Sequence, residues 1–246
     1  MNEPPIGEGA APQAVQEALT VLPMAAPQAQ RAAVTIMPGA VGAHIGVRYV
    51  ADDDGALRHM HLAFHHAFED SACAPDDALW VVPGLRDEEL EDVATSARLV
   101  ARRHHDGRIP YAFDKRGAHF SAEGALVLGG SAGLTCATFV LVLFEHANLH
   151  LVDEVTWDAG RSAARIDEDE RAQGELVAFL EKRDAAQAKR VEGEVGCTRV
   201  RAEEVAGASG IPGHPISFAR AEPAGRYLLA RLQAPATTVA PPRPAE

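Results

Sequence analysis

Two stretches in the first third of the chain alternate apolar and polar side chains with the period of a half-buried strand. Over Ala43–Val50, Ile45, Val47 and Tyr49 share one face, and His44, Gly46 and Arg48 share the other. Leu57–Phe64 repeats the pattern, with Met60, Leu62 and Phe64 on one face and His59, His61 and Ala63 on the other. Between them, Asp52-Asp53-Asp54-Gly55 carries turn chemistry, so the two runs predict an antiparallel hairpin. Val34–Met37, stopped by Pro38-Gly39, and Leu79–Val82 predict further strands.

The period then changes to that of a helix. Over Arg86–His105, Leu90, Val93, Ala97 and Val100 form one buried stripe. Asp87 reads as its N-cap, acidic residues crowd the first turns, and Arg102 and Arg103 sit near the end, as the helix dipole favours. A second helix is predicted from Cys136 to about Ala147, capped by Thr135. It is apolar nearly all round, which predicts burial at the centre of the fold. A third runs from about Asp167 to Val191, with Leu176, Val177, Phe179 and Leu180 set among many charges. Shorter elements follow at Arg201–Ala208 and Ser217–Leu232. The fold class is α+β, with a core over residues 34–158 and a helical C-terminal extension over 159–232.

The ends read differently. Nine of the 16 prolines fall within residues 1–30 and 233–246. Residues 1–33 are therefore expected to form a flexible arm, and 233–246 a disordered Pro-rich tail. A chain of 246 residues accommodates one large domain or one domain with an appendage. Its 35 acidic against 23 basic side chains, net −12, argue against a nucleic-acid surface, which needs clustered Lys and Arg. Three cysteines without CxxC spacing exclude a disulfide framework and a cysteine-rich zinc site. The longest apolar run, Ala137–Phe144, is far short of the ~20 residues that span a bilayer, and residues 1–13 lack the features of a secretory signal. The expected location is cytoplasmic, with no integral membrane segment.

Candidate chemistry centres on Gly133-Leu-Thr-Cys-Ala-Thr-Phe-Val140, which puts Cys136 in the first turn of the buried helix. Unpaired backbone N–H groups and the positive end of the helix dipole there are expected to lower the thiol pKa and to offer an oxyanion hole. The bland alternative is a buried structural cysteine. Cys73 and Cys197 have no helix start built for them and read as incidental. A thiol nucleophile needs a base and a group to orient it. His44 and His61 project from neighbouring strands on one pleat face, with His59 and His65 as competitors for the second position. Asp114–Gly133, a long Gly-rich stretch before the cysteine, reads as a lid or a substrate-binding feature.

His44-Ile-Gly-Val-Arg-Tyr49 resembles the histidine strand of lecithin:retinol acyltransferase-like proteins. The Cys136 segment resembles the helix starts of that group and of NlpC-like cell-wall peptidases, and Ile109-Pro-Tyr111 is similar to the Pro-Tyr before the nucleophile in NlpC-like enzymes. The order, histidine first and cysteine later, is that of circularly permuted papain-like hydrolases. The resemblance covers about residues 34–150. It implies a permuted papain-like core, an antiparallel sheet packed on a central helix carrying the cysteine. It also implies Cys136 as nucleophile, His44 as base, His61 by position as orienter, and Tyr111 lining the site beside Thr135.

The resulting expectation is a cysteine hydrolase or acyltransferase acting on an amide or ester of a small molecule, peptide or lipid, with no metal or organic cofactor. Two rival readings stand beside it. A non-catalytic papain-like interaction module would use the 167–191 helix to hold a protein partner. A zinc hydrolase would use His59-x-His61 with His65-His66 as ligands.

Overall fold

The computed structural model describes residues 19–23, 31–39, 42–51, 55–72, 78–160, 162–194 and 196–233. Its central feature follows from the alternating runs. β2 (Ala32–Pro38), β3 (Ala43–Val50), β4 (Leu57–Phe64) and β5 (Ala67–Ser71) form an antiparallel meander. β6 (Leu79–Val81) returns to the free edge of β2, and β1 (Val21–Pro23) pairs outside it, giving the order β1-β6-β2-β3-β4-β5. Of the predicted inward residues, Ile45, Val47, Tyr49, Met60 and Leu62 are buried, whereas Phe64, beyond a register shift in β4, is only partly buried and packs on Tyr111 and Phe179. Tyr49 brings its hydroxyl with it and donates to Asp70 at 3.0 Å, where Arg58 also binds at 2.9 Å. A buried phenol is thereby satisfied.

Part of the predicted arm is built into this sheet. Val21–Pro23 pair with Val81, Trp80 and Leu79, and the indole N–H of Trp80 donates to the Pro23 carbonyl at 3.1 Å. Ala32 and Ala33 belong to β2, so the boundary at residue 33 falls inside a strand. Proline content hid this, because an edge strand tolerates proline where an inner one does not. Leu19 is buried in the core; residues 1–18 and 24–30 of the arm, the predicted turn at 52–54, Cys73 and the tail beyond Gln233 lie outside the described residues.

The helices are α1 (Asp87–Arg103), α2 (Cys136–His146), α3 (Val155–Gly160), α4 (Ala163–Glu181), α5 (Ala185–Glu192), α6 (Ala202–Gly210) and α7 (Phe218–Gln233). The first is capped one residue earlier than predicted. The Arg86 backbone N–H donates to the Glu89 carboxylate at 2.9 Å, and Asp87 is already helical. α2 is buried from Cys136 through Phe144 and packs on β3 and β4, flanked by α1 and α6. Each fully buried Leu or Phe there contributes roughly 1.5–3 kcal/mol. Among the described residues no helix is long and apolar enough to cross a membrane.

The predicted 167–191 helix is two helices. The chain breaks at Lys182–Asp184, and the Asp184 side chain accepts the Gln187 N–H at 3.0 Å as a new N-cap. An aspartate offers the backbone this alternative to an unbroken helix, and tertiary packing accepts it. Leu176 and Leu180 of α4 and Ala188 and Val191 of α5 then close a second apolar cluster on Ala112, Phe113 and Ala132. The extension is thus packed against the segment leading into α2. Asp114–Gly133 is not an open lid: it carries a small hairpin, β7 (His119–Phe120) and β8 (Leu126–Val127). Phe120 enters the core, and Lys115 binds Glu145 and Glu154 at 2.8 and 2.7 Å.

Gly46 fixes how closely β3 and β4 approach. A Cβ there would stand 2.5 Å from the Met60 carbonyl oxygen and 2.6 Å from His59 Nε2. Gly46→Ala is therefore expected to destabilise the fold by about 1–3 kcal/mol, as overpacking does. Urea unfolding should show a lower midpoint. An unchanged midpoint would mean that the sheet has room to give.

Candidate active site

The start of α2 is held by a reciprocal cap. Thr135 Oγ1 accepts the Thr138 N–H at 3.1 Å, and Thr138 Oγ1 accepts the Thr135 N–H at 2.7 Å. Thr135 thus orients the first helical turn, where Cys136 is the first residue. Ahead of it, Leu134 N–H donates to the Pro110 carbonyl at 2.9 Å, and Ala112 N–H donates to Leu134 at 3.3 Å. Gly133 permits this, since a Cβ there would collide with the Pro110 carbonyl. Tyr111 is drawn beside Cys136 by these bonds. His65 Nδ1 accepts the Tyr111 N–H at 3.2 Å, and the buried Gln187 of α5 donates to the carbonyls of Tyr111 and Ala132 at 3.0 and 2.9 Å.

The Cys136 sulfur rests against the backbone N–H of Ile45 and the hydroxyl of Tyr111. Ile45 follows His44 on β3. Burial nevertheless pushes the thiol pKa up, against the opposing pull of the Ile45 N–H, Tyr111, the Ala137 N–H and the Arg199 charge. This corrects the expectation of a thiolate stabilised by the helix start: desolvation outweighs the dipole at a site this enclosed.

The two strand histidines meet. His44 Nε2 lies 2.6 Å from His61 Nδ1, and the rings stand edge to face. On its outer side His61 Nε2 lies 3.3 Å from Glu69, its cross-strand partner on β5. Burial, reinforced by His61, lowers the His44 pKa to about 4. His61 is also lowered by burial, with Glu69 pulling the other way. Both rings are therefore neutral near pH 7.

The competitors for the second position are occupied elsewhere. His59 is buried, bonded through Nε2 to Thr35 Oγ1 at 2.8 Å and stacked on His61, and its pKa falls to about 3, chiefly through desolvation. His59 Nε2 and both nitrogens of His61 are engaged, so the two residues do not stand as an open chelating pair. His65, His66 and Asp184 bring three potential metal-ligand atoms within 4.8 Å of one another. His65 Nδ1, however, accepts from Tyr111, so neutral His65 carries its proton on Nε2, facing Asp184 at 3.4 Å. Binding a metal through Nε2 would require losing that proton as well. The trio reads instead as an anchor between the Tyr111 segment and the α5 cap.

His44, Tyr111, Thr135 and Cys136 open on one cleft of about 540 Å³. Its opposite wall comes from α4 and the 199–203 segment, with Leu176, Phe179 and Arg199 among the lining residues. No residue of Asp114–Gly133 lines it. The arrangement brings together four of the five expected site residues at the cleft, and His61 behind His44. Cys136 and His44 make no hydrogen bond to one another among the described residues, a common state of an unliganded site. Cys197 is half-buried against the second apolar cluster and is not the first residue of any helix.

Sequence reasoning missed three participants. Glu69 follows the tight His65-His66 turn, and the pairing of β4 with β5 makes it the neighbour of His61. A two-residue turn counted back along the chain would have suggested this, except that a register shift intervenes between Leu62 and Phe64. Gln187 and Arg199 carry no local signal, because their roles depend on the extension folding back. Comparison of the chain with known protein families, with curated proteins and with solved structures gave no match.

Proposed function

We propose that the protein is a cysteine hydrolase or acyltransferase that opens an amide or ester bond through a thioacyl intermediate, on a permuted papain-like core. The observation that carries this is His44, paired with His61 at 2.6 Å, opening on the same cleft as Cys136, whose sulfur lies against the Ile45 N–H. The resemblance of the His44 and Cys136 segments to acyltransferase-like and NlpC-like proteins supports the same roles.

With a raised thiol and a depressed imidazole, both partners rest neutral. His44 Nδ1, the ring nitrogen not engaged by His61, takes the thiol proton as sulfur attacks the carbonyl carbon. The Tyr111 hydroxyl and the Cys136 N–H are the donors at hand for the oxyanion. Collapse expels the amine or alcohol, which receives the proton from His44. Water or another acceptor, deprotonated by His44, then attacks the thioester and restores the thiol. The cleft wall supplies apolar contacts from Phe64, Leu176 and Phe179 for the acyl group.

An acid-quenched mixture of the protein with an activated aryl ester, analysed by intact mass, should contain one acyl adduct that hydroxylamine removes and that maps to Cys136. Chelators should leave its formation unchanged. No adduct, or one confined to Cys197, would sink the proposal and leave the interaction-module reading ahead. Loss with EDTA and recovery with zinc would favour the metal reading.

A further inference from the structure

We infer that Glu69 is a positioning residue: it sets the proton arrangement of His61 and, through it, keeps His44 Nδ1 free to face the thiol. The inference rests on the hydrolase reading for its consequence, but its basis is the bonded series His44, His61, Glu69. The series runs from the cleft to the surface, with His44 Nε2 2.6 Å from His61 Nδ1 and His61 Nε2 3.3 Å from the Glu69 carboxylate. Glu69 is held there by register, since β4 and β5 place it directly across from His61.

Two proton arrangements are available to the neutral pair. In one, His61 carries its proton on Nε2 and donates to Glu69. Its Nδ1 must then accept, so His44 donates from Nε2 and its Nδ1 holds a lone pair. In the other, His61 carries its proton on Nδ1 and donates to His44, whose own proton is then forced onto Nδ1. That second state cannot accept the Cys136 proton, and it sets a bare His61 nitrogen against a carboxylate. Glu69 therefore selects the productive state. Its charge also opposes the cost of the imidazolium that forms on His44 during attack.

The groups facing His61 are His44 from β3, its neighbour His59 on β4 and Glu69 from β5, with Arg48, the cross-strand partner of His59 on β3, acting on His59. Among them Glu69 supplies the anion. Glu69→Gln keeps an acceptor oxygen but removes the charge, whereas Glu69→Ala removes both. The thiol is untouched in each case, and Glu69 is more than half exposed, so folding is not at stake.

The test is an NMR titration of the His44 and His61 ring nitrogens in the wild type, Glu69→Gln and Glu69→Ala, alongside the pH dependence of kcat/KM for the aryl ester. In Glu69→Gln both histidines should protonate at lower pH than in the wild type. The acid limb of kcat/KM should move the same way, and the plateau should fall by about 10-fold. In Glu69→Ala, a fraction of His44 should carry its proton on Nδ1, and the plateau should fall further. Identical titrations in wild type and Glu69→Gln would overturn the role of Glu69 and leave the hydrolase reading intact. An inactive wild type whose histidines shift as described would instead sink the hydrolase reading alone.

Discussion

Cys136→Ala is expected to remove turnover of the aryl ester by roughly 10⁴-fold or more, the scale on which deleting a nucleophile acts when no other group can replace it. That corresponds to about 5 kcal/mol or more of lost transition-state stabilisation. The fold should persist. Ala137 through Phe144 and the Thr135–Thr138 cap are untouched, and only one sulfur atom leaves the core. A destabilisation of about 1 kcal/mol is the expected size of such a loss. Steady-state rates and urea unfolding measured together separate the two effects. Cys197→Ala and Cys73→Ala should leave turnover in place, because neither thiol has a part in the proposed chemistry. Equal loss in all three variants would remove the special place of Cys136.

The second large effect concerns His44. His44→Ala should cost roughly 10²–10⁴-fold in kcat/KM, the range attributed to a positioned general base. Its signature lies in the pH profile. A base works in its neutral form, and burial next to His61 holds the His44 pKa at about 4, well under the ordinary 6.5. Activity is therefore expected to continue undiminished down through pH 6.5 and to fall only as pH approaches about 4. A limb near 6.5 would mean that the working histidine lacks the desolvation that lowers His44. Acid unfolding has to be followed in the same samples by circular dichroism. His44 and His59 are neutral in the folded protein, with pKa values lowered to about 4 and about 3, whereas in the unfolded chain they take up protons below about 6.5. Their contribution to stability is full above pH 6.5 and is lost as pH falls toward the folded values. Each unit of lowering is worth about 1.4 kcal/mol. Loss of activity that tracks unfolding, and not protonation of an intact site, would overturn the assignment.

The raised Cys136 thiol changes how the site should respond to reagents. Alkylation by iodoacetamide in the free protein is expected to be slow near neutrality, because the thiolate is scarce and the sulfur is covered. The sequence pointed the other way, since a helix start by itself favours a thiolate. Whether the dipole or desolvation wins is decided by how deeply the sulfur is buried, and at Cys136 burial outweighs the opposing hydrogen bonds from the Ile45 N–H and Tyr111.

Local periodicity carried the strands and the buried helix to within a residue or two. β3 and β4 keep the predicted ends, and α2 begins at Cys136 behind Thr135. Alternation works at these positions because one face of each strand is buried, so a one-residue slip would expose the whole apolar set. The meeting of His44 with His61 was legible for the same reason. β1, β5 and the two-residue strands were not, because short segments in polar or Pro-rich surroundings leave too few alternations to read. The break between α4 and α5 escaped notice because a charged helix of even polarity gives no sign of where its apolar face turns.

By itself, then, the sequence determined the strand pair that presents two histidines and the capped helix that presents a cysteine, both being products of local hydrogen bonding and patterning. Only the tertiary structure decided that Glu69 stands behind His61, that Gln187 and His65 hold Tyr111 beside the sulfur, and that α4 walls the cleft. It also decided that the thiol and the imidazole both rest neutral. Those outcomes depend on strand register and on contacts between residues dozens of positions apart. They depend as well on desolvation, a property of the packed surroundings that no single stretch of sequence contains.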